Sequence, residues 1–126
     1  MRHRRVLIVD DDVSALSAMA DQLRTQGYDP VCAGSAEDAL RVALTDGADL
    51  ALVDQFLPGL CGASLVRWLR ASATTQIRAM PVIGMSMTRR SERDLVAAGA
   101  VCFLEKPLDD GRLKRALDWT ASIYWE

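Results

Sequence analysis

The sequence predicts an α/β fold, a doubly wound parallel sheet of five strands with helices on both faces. Three observations predict it. Short apolar runs of strand length recur five times, each followed by a stretch with helical spacing. The best of these runs are continuously apolar rather than alternating, as in strands buried on both faces. Two of them, residues 6–9 and 50–53, lead straight into acids, at the carboxyl edge where open α/β sheets bind ligands.

The elements follow in order. Residues 5–9 read as the first strand, ending in Asp10, Asp11 and Asp12. Asp12 is placed to cap a helix over 13–25, with Val13, Leu16, Ala20 and Leu23 at helical spacing and Gly27 as its stop. A short strand is expected at 29–33. Ser35 then caps a helix whose apolar face carries Ala36, Ala39, Leu40, Ala43 and Leu44, ended by Gly47. The third strand, 49–53, delivers Asp54 just before the turn signal Pro58-Gly59. A helix over 62–72 carries Leu65, Val66 and Leu69. A fourth strand is expected at 81–85, a helix near 89–98 ending at Gly99, a fifth strand at 101–105 and a last helix from about 109 to 124. On that last helix Leu113, Leu117, Thr120 and Tyr124 share the core side. Trp119 lies nearly opposite, with Ile123 on the flank, either as an anchor for a partner or covering a neighbouring side chain. Crossovers between parallel strands should be right-handed.

Residues 1–126 read as a single domain, since 126 residues suffice for one core and no linker or repeat divides them. Fifteen basic residues against seventeen acidic ones give a net charge of −2, which exerts no general pull toward nucleic acid. The pairs Arg4-Arg5 and Arg89-Arg90 read as solvated surface. No apolar run approaches the roughly 20 residues that span a bilayer, and no signal-peptide core is present. Cys32, Cys61 and Cys102 are far apart and lack zinc-ligand spacing, so a reducing cytoplasmic setting is expected. His3, the one histidine, reads as solvated rather than catalytic.

With strands 1, 3, 4 and 5 adjacent, their carboxyl ends present Asp10 and Asp11, Asp54, Ser86 and Lys106. Carboxylate oxygens suit Mg²⁺, which binds through one or two carboxylates plus a phosphoryl group. Asp54 has the chemistry of a nucleophile toward phosphorus. The metal and Lys106 would neutralise charge on the phosphoryl oxygens, and the Ser86 hydroxyl would hydrogen-bond the transferred group. Singly, each residue has a plain structural reading as a helix cap, a strand-end polar group or a turn residue. As a set at one sheet edge they read as a site.

These residues lie in VLIVDDD (6–12), LALVDQFLPGLCG (50–62), MPVIGMS (80–86) and FLEKP (103–107). Over essentially its whole length the chain resembles the CheY-like receiver domain of two-component response regulators. The resemblance implies a flavodoxin-like (βα)5 fold with strand order 2-1-3-4-5. It implies that Asp54 accepts a phosphoryl group from a histidine kinase or a histidine phosphotransfer protein. It implies Mg²⁺ held by the Asp11 and Asp54 side chains and the Phe56 backbone carbonyl, with Asp10 acting mainly through water. By the same resemblance Ser86 is the switch hydroxyl, Phe103 the switch aromatic, Lys106 the phosphate-contacting lysine, and Lys106-Pro107 a cis bond. The domain's own chemistry would be phosphotransfer from a donor and slow self-dephosphorylation, not turnover of an independent substrate. Its signal would be a population shift that alters the face of the fourth helix, fifth strand and fifth helix. That face, with Trp119 and Ile123, would meet a downstream protein or a second copy of the chain.

Several positions depart from the family pattern. The switch hydroxyl is Ser rather than the commoner Thr. Met87 follows it where a small residue is usual, and bulky Phe56 stands two residues after Asp54. Both are expected to hinder the hydrolytic water and lengthen the phosphoryl lifetime. Cys61 stands where an acid is frequent and reads as a neutral loop thiol. The segment from Ser86 to Gly99 is short, which should trim the fourth helix or the loop into it. A competing class is a pseudo-receiver, an interaction module with the fold but no phosphotransfer; the retained acids, Ser86 and Lys106 argue against it. A haloacid-dehalogenase-type hydrolase would want a second acid where Phe56 stands.

Overall fold

The computed structural model describes residues 3–125. Among them a five-stranded parallel sheet forms in the order β2-β1-β3-β4-β5. Its strands are β1 (Arg5–Val9), β2 (Asp29–Ala33), β3 (Leu50–Asp54), β4 (Val82–Ser86) and β5 (Cys102–Glu105). The helices are α1 (Val13–Thr25), α2 (Ala36–Thr45), α3 (Gly62–Arg70), α4 (Thr75–Ala79), α5 (Glu92–Ala98) and α6 (Asp110–Tyr124), with a 3₁₀ turn at Arg89–Ser91. This is the predicted doubly wound, flavodoxin-like topology. β3 lies at the centre; β1 pairs with β2 on one side and β3 on the other, so the strand order reverses between β1 and β3.

Alternation along the central strands divides the core in two. Leu7 and Val9 with Ala51 and Val53 face α2, α3, α4 and α5. Val6 and Ile8 with Leu50 and Leu52 face α1 and α6, meeting Leu16, Leu23, Leu113 and Leu117. Residues 6–9 and 50–53 are at most 1% exposed, so both faces of each strand are covered and the apolar runs are continuous. Each Val, Leu or Ile among them contributes about 1.5–3 kcal/mol through removal from water. Close approach of α5 to β4 depends on Gly84. A Cβ there would lie 2.8 Å from Leu95 Cδ1 and 2.9 Å from Leu95 Cβ.

The caps predicted at Asp12 and Ser35 are in place: Asp12 accepts from Ser14 N and Ala15 N, and Ser35 from Asp38 N. Asp109, for which no cap role is expected from the sequence, caps α6 by accepting from Arg112 N. The chain departs from expectation where local pattern meets tertiary context. Val13 and Leu44 stand 78% and 68% exposed, because the helical turns that carry them rotate past the sheet. Tyr124 lies outside the core and meets Trp119 edge-on, with centroids 6.3 Å apart. Trp119 covers Tyr124, as one of its two readings had it, and stays 43% exposed. Helix α3 stops at Arg70 rather than at 72, and a one-turn helix, α4, follows it where no helix is expected from the sequence. The Arg70 guanidinium ties these pieces together, donating to Met80 O at 2.6 Å and to Gly99 O at 2.8 and 3.1 Å. The fourth predicted helix divides into the 3₁₀ turn and the short α5, consistent with the trimmed segment expected there. With α4 inserted, the expected signalling face is that of α5, β5 and α6.

Arg4 and Arg5 are half-buried rather than simply solvated. Arg5 N donates to Asp49 Oδ2 at 2.8 Å, and the Arg4 guanidinium lies 4.9 Å over the Trp125 ring. Trp125 packs beside Tyr28 and donates through Nε1 to Asp49 O, which pins the end of α6 beneath the sheet. No helix among the described residues is long and apolar enough to cross a membrane.

Candidate functional site

The site lies at the carboxyl edge of the sheet, over the reversal point between β1 and β3. The backbone of Asp10 leaves β1 with its N–H on Ala33 O at 3.1 Å, so β2 fixes its position. Asp54 is the last residue of β3 rather than the one after it, in register with Met85 of β4. Both carboxylates are buried, 1% and 5% exposed, whereas Asp11 is exposed. Carboxylate oxygens of Asp10, Asp11 and Asp54 lie within 4.8 Å of one another. Asp12, by contrast, turns to cap α1, and its N–H donates to Asp10 Oδ1 at 2.9 Å.

Lys106 follows β5, which lies two strand spacings from β3, roughly 10 Å at the usual separation of parallel strands. Only a long side chain spans that gap. Its Nζ donates to Asp54 Oδ2 at 3.2 Å and makes a short bond to Asp10 Oδ2. The Lys106-Pro107 bond is cis, as the resemblance implied.

The electrostatics follow from burial and charge count. Burial raises the Asp54 carboxyl above its usual range; Lys106 opposes that rise and Asp10 adds to it. For Lys106, burial favours the neutral amine, but the bond to Asp10 and the charges of Asp54 and Asp10 together raise its pKa, so it is an ammonium at neutral pH. Three carboxylates around one ammonium leave two negative charges uncompensated within the cluster. An all-oxygen donor set with that deficit fits a hard divalent cation such as Mg²⁺.

The loop after Asp54 is held by its own backbone. Gln55 is buried; its Oε1 accepts from Ala63 N at 2.8 Å and its carbonyl from Gly62 N at 2.7 Å. Gly62 fits because it has no Cβ, which would fall 2.2 Å from the Asp54 carbonyl oxygen. Phe56 N donates to Asp54 Oδ1 at 3.5 Å while its ring stands 61% exposed at the mouth of the site. Met87 is 66% exposed. The Cys61 thiol is lowered by its hydrogen bond with Ser64, 3.3 Å away.

Ser86 ends β4 and is fully buried, with Lys106 N on its carbonyl at 2.8 Å. Its hydroxyl accepts from Ser91 Oγ at 3.0 Å and from Thr88 N at 3.2 Å. Phe103, in register with Gly84 of β4, is half-buried against the core on the α5 side of the sheet. All five polar residues named from the sequence thus reach one sheet edge. Sequence reasoning missed Gln55, Gly62 and Ser91. Gly62 carried a signal, a glycine at a helix start eight residues after Asp54. Ser91 carried none, since a serine before a helix reads first as a cap.

The chain is similar to known proteins in sequence and in fold. The model of the response regulator receiver domain matches residues 6–118. Sensory transduction protein RegX3 of Mycolicibacterium smegmatis is 36% identical over 105 residues, which are 81% of this chain and 43% of that protein. Protein PilH of Pseudomonas aeruginosa is 32% identical over 117 residues, 90% of this chain and 94% of that protein. The chain thus spans less than half of RegX3 and nearly all of PilH. In fold, it superposes with a TM-score of 0.85 on a CheY-like response regulator receiver domain protein from Methanospirillum hungatei JF-1. That likeness covers 96% of this chain and 95% of the other at 24% identity.

Proposed function

Since the chain belongs to the response regulator receiver domain family, we propose that it accepts a phosphoryl group on Asp54 from a histidine kinase or a histidine phosphotransfer protein. The observation that carries this reading is the cluster of Asp10, Asp11 and Asp54 with Lys106 donating to two of the three acids. In this reading an Asp54 oxygen attacks phosphorus, the new O–P bond forms, and the donor imidazole leaves with the electron pair of the broken P–N bond. Lys106 stays charged and is positioned to hydrogen-bond the phosphoryl oxygens, a contact that strengthens as charge develops on them.

Mg²⁺ would be held by Asp11, Asp54 and the Phe56 backbone carbonyl, with Asp10 acting through water. When bound it supplies charge neutralisation at the phosphoryl oxygens and relieves repulsion among the acids. The chain's own chemistry ends with transfer and slow hydrolysis of the acyl phosphate. Its output is a shift in the α5–β5–α6 face toward a partner, as Ser86 moves to the phosphoryl group and Phe103 packs inward. Exposed Trp119 and Ile123 on α6 offer that partner, or a second copy of the chain, apolar contact.

Intact-mass measurement after incubation with acetyl phosphate tests the reading. The expected result is a single phosphoryl adduct that requires Mg²⁺ and is absent in Asp54→Asn. An unlabelled wild-type protein would point instead to a pseudo-receiver that signals by binding alone.

A further inference from the structure

The Ser86 hydroxyl has one proton to give and two lone pairs to fill. Both bonds it accepts come from the chain leading into α5, from Thr88 N at 3.2 Å and Ser91 Oγ at 3.0 Å. Neither partner is Asp54 or Lys106. Ser86 is 0% and Ser91 5% exposed, so both hydroxyls are shielded from bulk water. A Ser86 that turns toward a phosphoryl group would leave the Ser91 hydroxyl sealed in without its acceptor, and a buried unpaired hydroxyl is unfavourable. Ser91 also closes the 3₁₀ turn, its N–H on Thr88 O at 3.2 Å, immediately before α5. Helix α5 in turn rests on β4 through the tight Leu95–Gly84 contact, so a moved turn is felt along α5.

We propose that Ser91 is a positioning residue whose hydroxyl latches Ser86 in the resting state and joins its release to the first turn of α5. This rests on the reading of Ser86 as the switch hydroxyl of a phosphoacceptor. The latch sets how much of the unphosphorylated chain is already in the activated state, and the strength of that bond determines how readily phosphorylation moves α5.

The test is the affinity for beryllofluoride, a phosphoryl analogue, in saturating Mg²⁺, followed by the amide resonances of Thr88 and Arg90. Ser91→Ala removes the latch and should tighten binding about two- to tenfold, the range set by one neutral hydrogen bond. In a Ser86→Ala background the same substitution should change nothing. A packing role for Ser91 would move both backgrounds alike, and Ser91→Cys, which replaces the hydroxyl with a weak S–H donor, serves if Ser91→Ala does not fold. Unchanged or weaker binding by Ser91→Ala, or an equal shift in both backgrounds, would overturn the latch and leave the phosphoacceptor reading standing. A wild-type protein that binds no beryllofluoride would remove both.

Discussion

At the scale of residues, the site concentrates more negative charge than its one lysine balances. Burial raises the Asp54 carboxyl above the ordinary 3.8, with Asp10 adding to the rise. A carboxyl whose pKa is raised in the fold favours the folded state only while protonated. Its contribution therefore turns unfavourable as pH climbs from the unfolded value through the folded one, and is fully unfavourable above the folded one. Asp54→Asn should accordingly stabilise the metal-free protein at pH 7 by about 1–2 kcal/mol, below the bare like-charge repulsion at an effective dielectric of about 20 because Asn also gives up attraction to Lys106. Lys106 keeps Asp10 as its partner, so the substitution strands no buried charge. Thermal unfolding across pH checks this: the advantage should shrink as pH falls toward 4, and Mg²⁺ should raise the midpoint of wild type far more than that of Asp54→Asn. At the mouth, Phe56 offers an attacking water no hydrogen bond. Phe56→Asn supplies an amide that can place one, and should speed acyl-phosphate decay about three- to tenfold, a barrier change of about 0.7–1.4 kcal/mol. Equal decay rates for the two proteins would remove Phe56 as the timer.

At the scale of elements, the loop from β3 into α3 holds Asp54 by close backbone contact rather than by side-chain packing. Gly62→Ala would set a Cβ 2.2 Å from the Asp54 carbonyl oxygen and 2.9 Å from Gln55 Cα, and both are backbone atoms that cannot swing aside. The expected loss is about 3 kcal/mol, at the upper end of overpacking changes. Urea unfolding would show it as a lower midpoint at unchanged slope, accompanied by weaker phosphoryl labelling because Asp54 moves with the loop. Elements with strong local signals were legible in the sequence. Strands β1 and β3 announce themselves by continuous apolar runs, and α1 and α2 by capping side chains at Asp12 and Ser35. Helix α4 was not legible, because its five residues carry one buried side chain, Ile77, and its position depends on the distant Arg70 guanidinium. Val13 and Leu44 misled for a related reason: apolar spacing fixes a helical face only to within a turn, and the sheet decides which residue of that turn is covered.

At the scale of the molecule, a parallel sheet whose order reverses between β1 and β3 brings residues 10, 54, 86 and 106 to one edge. The acids and the lysine were legible because strand ends can be counted along the chain. The contacts that join the edge to α5 were not, since Ser91 acts only through a partner that tertiary packing supplies. Asp54, among three clustered acids, is the proposed phosphoacceptor. Reductive trapping with borohydride after Mg²⁺-dependent phosphorylation by acetyl phosphate tests this most directly, because it converts an aspartyl phosphate to homoserine at the modified position. Peptide mass spectrometry should then find homoserine at residue 54 and unchanged aspartate at 10 and 11. Homoserine at either of those positions, or at none of the three, would overturn the assignment of Asp54.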